Sequence, residues 1–459
     1  MGVMSDLSHA VQAAMPGVRA DLEKLVRIPS VSFPGFDHSH INSSAQATER
    51  LLRDAGMETE IVTAKTSSGE TGQPAVIGRI PAPEGAPTVL LYAHHDVQPP
   101  GDNEAWVQDD PFEPEEREGR LYGRGAADDK AGVMAHVAAI RAFDGKPPVG
   151  VTIFLEGEEE FGSESLPNLI AENREKLRAD VVVIADSLNW KVGIPALTTS
   201  LRGLVNVFVD VQTLNQPVHS GIFGGAVPDS LTSLCHVLAT LHDENGDVAV
   251  EGLVSRDASR LDTDEANLRV ESGMLPSTEF IGTGRLTSRQ WTKPSCTVLG
   301  IDGPQPEQAA NALQGSSRAK VSFRIAPGDT AESAFNAIQT HIEAAAPWGA
   351  TVTVTSEKGA ADPSLIDARG PYFDAAREAF KDAWDGVDSV DIGIGGSIPM
   401  IAMFQELFPD ADILVTGVED PDSRAHGPNE SVDLGEFERT CIAEAHLLAK
   451  VAKAAKLLT

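Results

Sequence analysis

TVLLYAHHD, residues 88–96, is an apolar run that stops abruptly at two histidines and an aspartate. A continuous rather than alternating apolar run of this length predicts a strand covered on both faces, as in parallel sheets flanked by helices. Three further segments share the form: VTIFLEGEEE (151–160), ADVVVIADS (179–187) and ADILVTGVED (411–420), each ending in ionisable groups. Helical patterns between them, such as KAGVMAHVAAIRAF (130–143), provide crossover connections. The predicted fold is therefore α/β with a mostly parallel central sheet. In such sheets ligands bind beyond the carboxyl ends of the strands, where these polar clusters fall.

The middle third reads differently. GLVNVFVDVQ (203–212) and AKVSFRIAPGD (319–329) alternate apolar and polar residues with period two, predicting a half-exposed sheet. A chain of 459 residues exceeds what one core usually organises. The expectation is a discontinuous catalytic domain, 1–202 and 359–459, with an inserted α+β domain at 203–358, because the ADILV strand and its acidic loop return after the insertion.

Composition narrows the function classes. Sixty-eight acidic against 36 basic residues give a formal charge of -32, which repels nucleic acid and anionic membrane. Most of these carboxylates, including the run Glu113–Arg120, read as a solvated surface. Three widely spaced cysteines, Cys235, Cys296 and Cys441, argue against a disulfide framework or a thiolate metal site. No apolar stretch is long enough for a signal peptide or a membrane span, so the expected location is cytoplasmic.

Chemistry concentrates at the strand ends. Residues two apart in extended chain share a face, so His94 and Asp96 point together while His95 points away. A metal-bound imidazole usually donates its second N–H to a carboxylate, a role open to Asp96. In LYGRGAADDKAG (121–132), Asp128 and Asp129 precede a helix; capping explains one of them, and a second acid suits a ligand equally. Three consecutive glutamates in EGEEEFGS (156–163) repel one another unless a cation neutralises them. Asp186 after VVVIA and His426 in RAHGPNE complete a sulfur-free set of donors, which suits zinc, manganese or cobalt.

The segments YAHHDVQPP, WVQDDPFEPEEREGRLYGRGAADDK, EGEEEFGS, VIADS, HSGIFGGAVP, GGSIP and AHGPNE, in this order, resemble the M20 family of co-catalytic metallopeptidases. The resemblance runs from about residue 20 onward and is strongest to the dipeptidase branch, the carnosinase-like and cytosolic nonspecific dipeptidases. It implies a zinc-peptidase-like catalytic domain with an inserted lid and dimerisation domain, and two divalent ions per subunit, zinc first with manganese or cobalt as alternatives. His94 and Asp186 would hold one ion, Glu160 and His426 the other, and Asp128 would bridge them. Asp96 would orient His94, and His95 would lie outside the chemistry. The Glu-Glu-x-Gly-Ser register makes Glu159 the general base and Glu160 a ligand; periodicity alone does not choose among Glu158, Glu159 and Glu160. Two divalent ions against three ligand carboxylates leave one positive charge, which a bridging hydroxide would neutralise before attacking the peptide carbonyl.

By itself QPVHSGIFGGAVPDS (216–230) reads as a set of tight turns. The resemblance implies instead that His219 reaches the neighbouring subunit's site in a homodimer built through the inserted domain and stabilises the transition-state oxygen. Arg324, which alternation places opposite Val321, Phe323 and Ile325, would fork the substrate's C-terminal carboxylate, with Ser397 and Gly396 forming a backbone cradle beside it. Gly393 and Ile394 depart from the charged pair usual in this branch, which leaves side-chain preference open. The expected activity is hydrolysis of short peptides, dipeptides with a free C-terminus foremost. An N-acyl amino acid deacylase, such as a succinyl-diaminopimelate desuccinylase, is the alternative within enzymes, and a catalytically silent metal-binding protein the alternative outside them.

Overall fold

The computed structural model describes residues 2–396 and 399–458. The chain divides into two compact units: Met1–Thr199 with Asp367–Ile392 and Pro399–Thr459, and Ser200–Ile366 with a short return at Gly393.

In the first unit the sheet runs, in spatial order, Glu58–Val62, Ala75–Ile80, Gly150–Glu156, Thr88–His94, Val181–Ile184, Asp412–Val415 and Ala196–Leu201. The middle four of these strands are parallel. Their flanking neighbours pair antiparallel, so the sheet is mixed around a parallel centre. Gly150–Glu156 and Val181–Ile184 are buried throughout, as their unbroken apolar runs require. Register aligns the strand ends. His94 stands opposite Glu156 and Tyr92 opposite Ile184, so the turns after three strands emerge side by side.

The helix Lys130–Ala142, buried from Lys130 to Ile140, packs on the Thr88–His94 strand and between the helices Gly2–Val26 and Leu434–Leu458. Polar ties fix it. His136 places Nδ1 2.8 Å from Glu444 Oε1 and Nε2 3.0 Å from the Tyr92 carbonyl. Lys130 Nζ donates to the carbonyls of Leu25 and Ile28 at 2.9 and 2.8 Å, satisfying acceptors where the first helix ends. Among the described residues, no helix is long and apolar enough to cross a membrane.

The second unit holds a four-stranded antiparallel sheet, ordered Ser295–Asp302, Ser316–Ile325, Gly203–Gln212 and Thr351–Ser356. Burial alternates along Gly203–Gln212 and Ser316–Ile325. Val205, Val207, Val209, Val321, Phe323 and Ile325 form a core with residues of the helices Ser230–Ala239 and Ala331–Ala344.

Candidate functional site

His94 closes its strand, and Asp186 follows the neighbouring strand Val181–Ile184 by two residues. Asp128 lies in the loop that enters the helix Lys130–Ala142, across a cis peptide bond from Asp129. His94 Nε2 lies 3.0 Å from Asp128 Oδ1, and His426 Nε2 lies 3.0 Å from Asp128 Oδ2. His426 Nε2 is also 3.3 Å from Glu160 Oε2. Two trios result, His94–Asp128–Asp186 and Asp128–Glu160–His426, each offering three ligand atoms within 4.8 Å of one another. Asp128 belongs to both and presents a different oxygen to each histidine, the geometry of adjacent cation sites sharing one carboxylate.

The donors are imidazole and carboxylate, which suit a borderline or hard divalent cation. The electrostatics also fit one. Burial pushes the Asp186 carboxyl up to about 6, with the Asp128 charge adding to it. Burial and then the Asp186 charge hold Glu159 well above the usual carboxylate range, and burial and then Asp128 do the same for Glu160. Crowded acids out of water resist ionising together, and a divalent cation reverses that balance.

The three consecutive glutamates separate by their partners. Glu158 accepts the backbone N–H groups of Gln73 and Ser165 at 2.8 and 2.6 Å, so its oxygens are engaged in structure. Glu160 faces His426 and accepts a bond from Gln98 Nε2 at 2.7 Å. Glu159 begins the short 3-10 turn Glu159–Phe161. Asp96 serves two neighbours. His94 Nδ1 lies 3.1 Å from the Asp96 carbonyl and 3.4 Å from its Oδ1, while the two carboxylate oxygens accept the backbone N–H groups of Glu159 and Glu160 at 3.2 and 3.1 Å. A single carboxylate thus ties the histidine to the glutamate turn. Asp129 occupies the N-cap position without making a cap bond; instead its Oδ2 accepts the His94 N–H at 3.1 Å.

His95 is fully buried, with Nε2 2.9 Å from the Pro74 carbonyl, and burial pushes its imidazole down to about 4, so it stays neutral. Its own carbonyl accepts bonds from Ser30 and Ser44. It is a structural residue. His219, Arg324 and Gly396 belong to the second unit. His219 is exposed, and its Nδ1 accepts the Gly221 N–H at 3.0 Å. Arg324 is half-buried on the sheet face opposite Val321, Phe323 and Ile325. Ser397 lies outside the described residues.

Sequence reasoning passed over a buried ion pair, Arg124 with Glu430, at 2.7 Å. Glu430 accepts the backbone N–H groups of Gly125, Ala127 and Asp128 at 3.0, 2.9 and 3.0 Å. Arg124 Nη2 donates to the carbonyls of His426 and Gly427, both at 3.1 Å. The pair therefore binds the Asp128 loop to the His426 loop, where His426 itself has a φ of 63 degrees, a conformation a non-glycine residue holds only when its surroundings enforce it. Both residues stand inside quoted motifs, but nothing in a linear sequence joins position 124 to 430. Glu419 was also missed: burial, then the charges of Asp128 and Asp186, hold its carboxyl well above the usual range. Replacing an outer-shell group of this kind weakens metal affinity about 10–100-fold. Glu430→Gln is expected to do so, read by calorimetric titration of the cation-free protein; unchanged affinity would mean the two loops hold their positions without it.

The comparisons with known proteins give the family. Residues 90–450 match Peptidase family M20/M25/M40. The cysteinylglycine-S-conjugate dipeptidase of Corynebacterium striatum is 38% identical over 374 residues, covering 80% of this chain and 82% of that protein. The Beta-Ala-His dipeptidase of Rattus norvegicus is 29% identical over 83% of this chain and 82% of its own length. Among solved structures, the dipeptidase Dug1p of Saccharomyces cerevisiae superposes with a TM-score of 0.80 at 25% identity, covering 98% of both chains. An α/β fold, two trios of ligand-type side chains and a match across most of the length lead to one assignment: the chain belongs to peptidase family M20/M25/M40.

Proposed function

We propose that this metallopeptidase hydrolyses dipeptides with a free C-terminal carboxylate, using two divalent cations held by His94, Asp128, Glu160, Asp186 and His426. The observation that carries the reading is Asp128, whose two oxygens each lie 3.0 Å from a different histidine. The dipeptide class is supported by the relatives named for dipeptide cleavage, in Corynebacterium striatum and in yeast.

When bound, the cations supply Lewis acidity and a water whose pKa falls toward about 7. Glu159 would serve as the general base, holding the proton of the attacking water and passing it to the leaving amine, one carboxylate working in both directions. Asp96 holds the backbone of Glu159 and the ring of His94, so base and ligand keep a common frame. Arg324, Gly396 and Ser397 receive the substrate's C-terminal carboxylate, and His219 donates to the developing oxyanion across a homodimer formed by the second unit. Zinc is the first candidate for the ion, with manganese or cobalt as alternatives. A cytoplasmic location accords with three free cysteines and no disulfide.

The deciding experiment is a substrate panel on cation-reconstituted protein. Dipeptides are expected to be hydrolysed and their N-acyl counterparts spared. Release of amino acids from N-acyl substrates alone would replace this reading with a deacylase, and bound cations without any turnover would leave a metal-binding protein.

A further inference from the structure

The second unit contains a charge arrangement that its own residues leave unbalanced. Arg324 lies on the strand Ser316–Ile325 directly opposite Ser295 of the neighbouring strand, so the two side chains share a sheet face. Arg202 reaches the same place from the preceding chain segment: its Nη1 lies 3.1 Å from Ser295 Oγ. The same nitrogen donates to the carbonyls of Arg289 and Lys293 at 3.3 and 3.5 Å. Its Nε–H is buried and has no acceptor.

Ser295 thus has Arg324 as its cross-strand neighbour and Arg202 on its hydroxyl, and among the described residues no carboxylate pairs with either arginine. This is notable in a chain with 68 acids against 36 bases, where an unpaired arginine has nearly two acids available for every base. Like charges drawn out of water disfavour each other unless an anion joins them. The tension is visible in Arg202, which burial and then the Arg324 charge push down to about 10.

The loop that begins at Gly393 lies directly on Arg202. The Arg202 N–H donates to the Ile394 carbonyl at 3.2 Å. A Cβ added at Gly395 would stand 2.6 Å from Arg202 Nη2, and one added at Gly393 would stand 2.7 Å from both Ser200 Oγ and Trp291 Cβ. Gly393 needs glycine because its backbone rests against Trp291 Cβ, and at Gly395 the backbone runs against the end of the Arg202 side chain.

We propose that Arg202 and Arg324 form a two-cation site that selects substrates whose C-terminal residue is itself acidic, so that the amino acid released is aspartate or glutamate. The proposal rests on the reading that Arg324 receives the substrate's α-carboxylate. One α-carboxylate balances one guanidinium; a side-chain carboxylate on the same residue balances the second. Arg324 is the contacting group. Arg202 lies against the Gly395 backbone and acts through its charge, which burial leaves poorly screened.

The test compares isosteres on the cation-reconstituted, full-length protein: Ala-Asp against Ala-Asn and Ala-Glu against Ala-Gln. The acidic member of each pair is expected to have a kcat/KM higher by about tenfold or more, the scale of a charge-assisted contact. That ratio should fall toward one in Arg202→Met and persist in Arg202→Lys, which keeps the charge. Free glutamate should inhibit more strongly than glutamine. Hydrolysis of Ala-Asn and Ala-Gln as fast as their acidic partners by the unaltered protein overturns the proposal while leaving dipeptidase activity intact. Failure to hydrolyse any of the four overturns the underlying reading instead. Since the ratio in the unaltered protein is decisive, misfolding of an Arg202 variant does not protect the idea.

Discussion

Glu159→Gln is expected to lower kcat by about 10²–10⁴ while both cations stay bound, because general-base catalysis contributes on that scale. The substitution keeps size and shape and removes only the capacity to take a proton. It leaves the surroundings in place, since Asp96 holds the backbone N–H of Glu159 and not its carboxylate. Folding should not suffer, because the group replaced is a half-buried acid whose ionised form is opposed by desolvation and by Asp186. Steady-state kinetics paired with metal analysis of the purified variant separates the two effects. Loss of turnover with loss of metal would make Glu159 a ligand; full turnover would move the base elsewhere.

The parts of this molecule that could be read from its sequence are those in which hydrophobic pattern and local spacing coincide. Unbroken apolar runs announced the strands Thr88–His94, Gly150–Glu156, Val181–Ile184 and Asp412–Val415, and these are the four parallel strands at the centre of the sheet. The flanking strands were harder. Glu58–Val62 has no buried residue and Ala196–Leu201 carries threonines and a serine, so neither shows the buried signature, and their antiparallel pairing makes the sheet mixed. Period-two alternation likewise marked the strands around Val207 and Phe323 in the second unit.

At the site, residue types pointed to His94, Asp186, His426, the Asp128–Asp129 pair and the three glutamates, the resemblance implied Asp128 and Glu160 among them, and the five converge in the two trios. Extended-strand geometry was less reliable for their support. The strand stops at His94, so Asp96 lies beyond it and meets the ring chiefly through its carbonyl, while its carboxylate turns to Glu159 and Glu160. Capping propensity, too, described Asp129 only by position. The Arg124–Glu430 pair was invisible because its partners are separated by 306 residues and meet only after the loops fold. The Arg202 and Arg324 pair was hidden for a different reason: proximity of like charges leaves no compositional trace.

Asp128 is where a single substitution should do the most damage to cation binding. A carboxylate can bridge because it offers two equivalent anionic oxygens, and here Oδ1 and Oδ2 face different histidines. Asn presents one oxygen and one N–H₂, so one of His94 and His426 would meet a donor where the other still meets an acceptor. The negative charge that holds two cations close together is lost at the same time. Asp128→Asn is therefore expected to reduce bound metal from two ions per chain to less than one, and kcat/KM by about 10³ or more, because Lewis-acid stabilisation of this kind contributes several kcal/mol. His426→Ala removes a donor from one trio only and should leave the His94–Asp186 position filled. The contrast matters more than either loss. Chelator-stripped protein titrated with zinc should show two sites in the unaltered chain, one retained site in His426→Ala, and neither at full affinity in Asp128→Asn. Two intact sites in Asp128→Asn would mean that the trios bind independently, and the shared carboxylate, with the paired-cation chemistry built on it, would have to be abandoned.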